Sequence, residues 1–154
     1  MIQILEPVLQ ECPFFSGLSE AQLKLITANA KDVQFAERHY IFREGDPANE
    51  FYVIRNGLVS VELSIPSRGA TTVQTVENGE VLGWSWVSPP YRWHFDARTL
   101  RPTHALVLDA NWLRAKCEED HGLGYEMLKR FVDLITTRLD ATRRQLEDVY
   151  TIHS

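Results

Sequence analysis

The sequence predicts a mainly β domain, an antiparallel barrel or sandwich with flanking helices and one long C-terminal helix. Three observations carry that expectation. From Val33 almost to residue 109, short runs rich in β-branched and aromatic residues follow one another, with turn residues at near-regular spacing. No strand–helix–strand alternation occurs, which disfavours a doubly wound dinucleotide fold. From Tyr125 to about Tyr150 there is neither proline nor glycine, and apolar residues recur at helical spacing.

Composition fits one globular unit. The 154 residues, 44% apolar and 24% charged, suit a single domain over 1–154. Within it, 14–109 would hold the N-terminal helices and the strands, and 110–150 the C-terminal helices. A formal charge of −5, with only Arg143-Arg144 as a local basic spot, argues against DNA binding. Cys12 and Cys117 lie far apart and match no zinc or redox spacing, so they read as reduced thiols. MIQILEPVLQECPFF is no leader peptide, since it lacks a basic start and Glu6 and Glu11 interrupt it. No run approaches the ~18 apolar residues that cross a bilayer. A soluble, cytoplasmic protein is expected.

The elements follow in order. Residues 3–10 suit a short helix that Cys12-Pro13 ends, because a residue before proline is steered out of the α region. Ser19 and Gln22 have capping-box spacing, and Leu23, Ile26 and Ala30 make 20–30 an amphipathic helix. Val33 and Phe35, then Tyr40 and Phe42, alternate with polar neighbours. Phe51–Ile54 runs into Asn56-Gly57, the strongest short hairpin signal, and Leu58–Leu63 is the expected return strand. Pro66–Gly69 is a turn before the strand Thr71–Val76. Leu100–Leu108 forms one more strand. Asn111–Glu119 is a short helix, and Gly122–Gly124 marks a break before the long one.

That long helix carries a seam. Leu128, Val132, Ile135, Leu139, Thr142, Leu146 and Val149 step by 4, 3, 4, 3, 4, 3, a heptad pattern that predicts a parallel homodimer. Phe131, Leu134 and Ile135 widen the apolar face toward the helix's own barrel. Thr142, the one polar seam residue, sits level with Arg143.

The most unusual stretch is Gly79–Thr99, GEVLGWSWVSPPYRWHFDART. Trp84, Trp86 and Trp93 fall close together beside Tyr91 and Arg92. Such a cluster is either a stacking platform for a ring or an aromatic plug that fills a cavity. Arg92 either meets an anionic ligand or stacks on Trp86 or Trp93. The five histidines, His39, His94, His104, His121 and His153, share no face or tight spacing, so no metal site is expected. No nucleophile elbow, no paired Cys/His and no His-Glu-x-x-His occurs, and Gly79–Gly83 lacks the Gly-Lys-Ser/Thr of a P-loop. No catalytic residue is assigned, and the chain reads as a non-enzyme.

From Phe14 to Tyr150 the chain resembles the cyclic-nucleotide-binding domain of catabolite-activator/FNR-type regulators. The carriers are Phe15–Ser19, Phe42–Ala48 with its Gly45-Asp46 turn, Phe51–Ile54 with Asn56-Gly57, Gly79–Gly83, Ala97–Thr99 and Ala105–Asp109. The resemblance implies an antiparallel β-roll with flanking helices and a long helix that pairs two subunits. It also implies a phosphate-binding cassette after the second glycine, where a glutamate holds the ribose and an arginine followed by a small hydroxyl residue neutralises the cyclic phosphate. Here Trp84 stands after Gly83, and the arginine position, counted back from Ala97, falls at Tyr91. Arg92 lies one step later, and Trp93 and His94 are bulky where the family is small. Losing both contacts weakens binding on the order of a hundredfold or more. In the family the residues after the seam's midpoint touch the base, which carries over to Thr142 and Arg143. The family's winged helix-turn-helix has no counterpart before Ser154.

Together these give a free-standing regulatory module for a small anionic or nucleotide-like ligand, with no cofactor beyond a possible cAMP-like nucleotide. The ligand candidates are Gly79, Glu80, Gly83, Trp84, Ser85, Trp86, Tyr91, Arg92, Trp93, Thr142 and Arg143. One alternative is a plugged pocket in a dimeric accessory or scaffold subunit, with a protein partner in a larger, possibly redox, complex. The other is ordinary cAMP binding through a register shift that turns Arg92 inward.

Overall fold

The structure is a computed structural model that describes Leu9 and residues 11–152. The short helix expected over 3–10 lies, apart from Leu9, outside the described residues. After a 3-10 turn at Pro13–Phe15 comes helix α1 (Glu20–Thr27). Eight strands follow: β1 (Ala30–Phe35), β2 (Tyr40–Phe42), β3 (Glu50–Asn56), β4 (Leu58–Ile65), β5 (Gly69–Glu77), β6 (Val81–Leu82), β7 (Asp96–Thr99) and β8 (Thr103–Asp109). Helices α2 (Ala110–Glu119) and α3 (His121–Ile152) close the chain.

The strands make two four-stranded sheets, ordered β1-β8-β3-β6 and β2-β7-β4-β5, with every pairing antiparallel. This is the expected mainly β roll with flanking helices. Side chains of both sheets meet in one buried cluster that includes Phe42, Phe51, Ile54, Val59, Val61, Ala97 and Leu106, and β3 is buried on both faces from Phe51 to Ile54. Burying such side chains away from water is the main favourable term in folding.

Four local expectations are corrected. Helix α1 starts as predicted, with the Ser19 hydroxyl accepting from the Gln22 N–H and the Gln22 amide oxygen accepting from the Ser19 N–H. It ends at Thr27, however, because Ala30 already pairs with Leu108 as the first residue of β1. Asn56-Gly57 is not a hairpin turn. Strands β3 and β4 belong to different sheets, so this dipeptide is the corner where the chain changes layer. Gly57 takes φ +152°, and a Cβ there would lie 2.6 Å from Thr103 Cγ2, so the corner needs glycine. The strand expected over Leu100–Leu108 is broken, since Leu100–Pro102 turns the chain from β7 to β8 and proline offers no ladder N–H. Finally, Gly122 and Gly124 lie inside the first turn of α3, and the break falls at Asp120, which is extended at φ −119°, ψ 95°. Gly124 is there for proximity: a Cβ would meet the Cys117 carbonyl at 2.8 Å.

Helix α3 attaches by its first half. Leu123, Met127 and Phe131 are fully buried at i, i+4, i+8 spacing. Arg130 ties the same turn down by donating to the Glu126 carboxylate at 2.6 Å and to the Ser16 carbonyl. Leu134 also packs on the core, but Ile135, expected to join it, is more than a third exposed. From residue 142 to 151 every side chain is exposed, so the helix runs clear of the roll.

Candidate functional site

The stretch between β6 and β7 builds the candidate site. Val81 and Leu82 pair with Val53 and Tyr52, which anchors the loop on the first sheet. Gly83 then takes φ +102°, and a Cβ on it would lie 2.6 Å from the ring of Trp93. The loop returns through a cis Pro89-Pro90 bond, and Tyr91 adopts φ +56°. Backbone bonds from Ala48 N to Tyr91 O and from Trp93 N to Asp46 O pin that return to the Gly45-Asp46 turn.

This path delivers Trp93 to the roll's interior. Its ring lies on Phe42, with centroids 3.7 Å apart and planes within 8°, and only 5% of the residue is exposed. Trp93, Trp84, Phe95, Phe42, Val61 and Gln74 leave a cavity of only about 20 Å³ between the sheets. That is room for one water molecule. The neighbouring residue lies in the loop before β7, joined only by an isolated bridge between Pro47 and Arg92. With Trp93 inward, Arg92 points outward, is exposed and donates to the Gly45 carbonyl at 2.8 Å.

The other candidates divide among five places. Gly83, Trp84, Ser85 and Trp93 line the small cavity. Trp86, 3% exposed, belongs to a separate aromatic stack, with Phe51 at 5.1 Å and Phe131 edge-on at 5.0 Å. Tyr91 turns away from the roll and lies under the guanidinium of Arg114 at 3.9 Å. Gly79 and Glu80 face a groove of about 720 Å³ between the N-terminal turn and α3. There the Glu80 carboxylate accepts from the Glu77 N–H and sits 3.6 Å from Arg138. Burial holds the Arg138 guanidinium below its ordinary pKa, against the opposing pull of Glu80. Thr142 donates to the Arg138 carbonyl, while Arg143 reaches Asp140 and Glu147, both on α3. Neither lines the cavity.

Two groups that the sequence reading passed over shape this region. Arg114 on α2 donates to the Trp86 carbonyl at 2.6 Å and to the Asn111 side chain at 2.7 Å, and so clasps the loop to the C-terminal helices. Glu62, 2% exposed on β4, accepts from Arg98 at 2.8 Å and from Ser60 at 3.1 Å. Neither signal is visible in spacing. Arg114 sits on a short polar helix, and Glu62 reads as an ordinary solvent-facing strand residue. Among the described residues no group of three or more His, Cys, Asp or Glu could hold a metal. No described helix is long and apolar enough to cross a membrane.

An eight-stranded roll with a glycine-bounded cassette turn and a long terminal helix defines the class: a cyclic-nucleotide-binding fold of the regulatory type. The comparisons agree. Residues 32–120 match the family "Cyclic nucleotide-binding domain", and the chain belongs to that family. A "CRP-like cAMP-activated global transcriptional regulator" of Mycobacterium tuberculosis is 21% identical over 94% of this chain and 63% of its own length. The "Anaerobic regulatory protein" of Bacillus subtilis is 24% identical over 76% of this chain and 50% of its own. The chain thus spans between half and two-thirds of these relatives. Among solved structures, a putative cyclic nucleotide-binding protein from Geobacter metallireducens superposes with a TM-score of 0.81 at 26% identity, covering 89% of this chain and 99% of the other. The sensor domain of the regulator DNR from Pseudomonas aeruginosa shares the fold, with a TM-score of 0.71 at 19% identity over 88% and 91%.

Proposed function

We propose that this chain is a non-enzymatic, dimeric regulatory or scaffold module in which the family's ligand pocket is closed by its own aromatic side chains. The observation that carries this is the seating of Trp93 on Phe42, which leaves about 20 Å³ where a nucleotide would need several hundred. The outward Arg92 supports it, because among the described residues that line the cavity there is then no cation to neutralise a phosphate. In this reading the module works through surfaces. The apolar stripe Leu128, Val132, Leu139, Leu146 and Val149 is between 52% and 68% exposed in a single chain. A row of that kind on a helix clear of the roll suits a parallel two-stranded pairing with a second copy. The paired helices would then present one joint surface to a protein partner.

A thermal-shift screen against cAMP, cGMP, AMP, NAD(P)(H) and cyclic dinucleotides tests the closed pocket. The expected result is a flat screen. A ligand at a hundred times its Kd adds ~2.7 kcal/mol and moves the midpoint by several degrees at this size. A cAMP shift would restore ordinary family binding, and a shift with another nucleotide would make the tryptophans a re-tooled site.

A further inference from the structure

A groove of about 720 Å³ lies between the N-terminal turn and α3, and it shares no lining residue with the cavity inside the roll. It follows α3 from Glu126 to Arg138, a rise of about 18 Å, so it is elongated rather than round. Pro13, Phe14 and Leu134 give it apolar walls. Its charged groups are not equivalent. Near one end the Glu126 carboxylate holds Arg130 at 2.6 Å and Lys129 at 3.2 Å, so these three charges are spent on one another. At the other end stands Arg138. Its side chain is only 21% exposed, yet among the described residues its guanidinium donates no hydrogen bond, and the carboxylate paired with it, Glu80, stays 3.6 Å away. That is beyond a normal hydrogen bond. Only its Nε is fully enclosed; the two terminal nitrogens are not, and Arg138 lines the groove. A largely desolvated cation whose donors lack acceptors is costly in a folded chain, and an acceptor in the groove would satisfy it.

We propose that this groove binds an aliphatic monocarboxylate, with the chain along Phe14 and Leu134 and the carboxylate on the terminal N–H groups of Arg138. The length of the groove favours a chain over a compact ring, and its volume is in the range of small-molecule sites. A carboxylate matches the planar fork of a guanidinium. Charge selects against a phosphate dianion, because Glu80 and Asp133 also line the groove and would repel a second negative charge. Binding would be felt at the cassette turn. The incoming carboxylate takes the place of Glu80 beside Arg138, while Glu80 keeps its bond from the Glu77 N–H at 3.0 Å. That exchange loosens the Gly79–Gly83 turn from α3, so ligand binding and turn position are coupled. The proposal does not depend on whether Trp93 closes the roll.

The test is a methyl-NMR titration of the full chain with octanoate, beside octanol and acetate as controls for the charge and the chain. The expected result is a saturable shift of the Leu134 methyls, with those of Leu139 and Val149 unmoved and both controls weaker by about tenfold or more. Arg138→Gln should weaken octanoate binding by about tenfold, because it removes the charge-assisted pair. Glu80→Gln removes the competing carboxylate and should tighten binding by about threefold, a readout that stands even where Arg138→Gln does not fold. No saturable shift of Leu134, octanol binding as well as octanoate, or an unchanged affinity in Glu80→Gln each overturns the proposal. Shifts of Leu139 and Val149 in place of Leu134 would put the chain on the exposed helix stripe and overturn it as well.

Discussion

Replacing Trp93 by alanine removes the largest group from the cassette cavity. The ring is 95% buried and stacked on Phe42 at 3.7 Å, so its loss strips both burial and an aromatic pair. Truncating a buried Trp or Phe to alanine costs ~3–5 kcal/mol, against a total stability of about 5–15 kcal/mol. For a domain of this size the thermal midpoint should fall by on the order of 10 °C. The cavity that opens is lined by Phe42, Val61, Leu82 and Phe95, an apolar set that should accept free indole. Differential scanning fluorimetry of Trp93→Ala with millimolar indole should therefore recover part of the loss, ~2.7 kcal/mol at a hundred times the indole Kd. The parent protein should show no such gain. If Trp93→Ala loses less than about 1 kcal/mol, or indole stabilises both proteins alike, Trp93 is not the group that fills the roll.

Other perturbations test the rest of the account. Leu139→Glu places a charge in the proposed seam, and sedimentation should then find monomers where the parent is a dimer; an intact dimer would refute the seam. Gly57→Ala forces a Cβ to 2.6 Å from Thr103 Cγ2 at φ +152°, and should cost about 1–3 kcal/mol in urea unfolding. Glu62→Gln leaves Arg98 without its carboxylate, and because Arg98 is about one-third exposed the loss should be ~1–3 kcal/mol rather than the full cost of a buried charge. The Glu126 carboxyl is held below its ordinary value, first by the hydrogen bond from Arg130 and then by that from Lys129. A depressed carboxylate stabilises above its unfolded pKa of about 4.3 and loses that contribution as pH falls. Thermal midpoints of Glu126→Gln should accordingly decline less than the parent's between neutral pH and pH ~3.5.

The architecture was legible because its signals are local. The Ser19–Gln22 capping box, the Pro66–Gly69 turn, the alternating strands and the unbroken helix after Tyr125 each act within a few residues, and each forms. What escaped depends on distant partners. Asn56-Gly57 has hairpin chemistry, yet the register of β3 on β8 and of β4 on β7 makes it a corner, which no local pattern announces. Gly122 and Gly124 look like a break, but both lie within α3, and Gly124 is needed there for its close approach to Cys117. At the candidate site the aromatic cluster was visible, while its division into two groups was not. Trp93 joins Phe42 inside the roll and Trp86 joins Phe51 and Phe131 beneath α3, because partners 35 to 51 residues away decide which way each ring turns. Arg114 was missed for the same reason, since its role is fixed by a carbonyl 28 residues upstream.

The central claim is that Trp93 occupies the place of a ligand, and the direct measurement is nuclear Overhauser contact between the Trp93 and Phe42 rings in solution, with and without millimolar cAMP. The account predicts strong ring–ring contacts that persist unchanged when cAMP is added. Loss of those contacts on titration, with the Trp93 indole moving toward solvent, would contradict it and show that the pocket opens for the nucleotide.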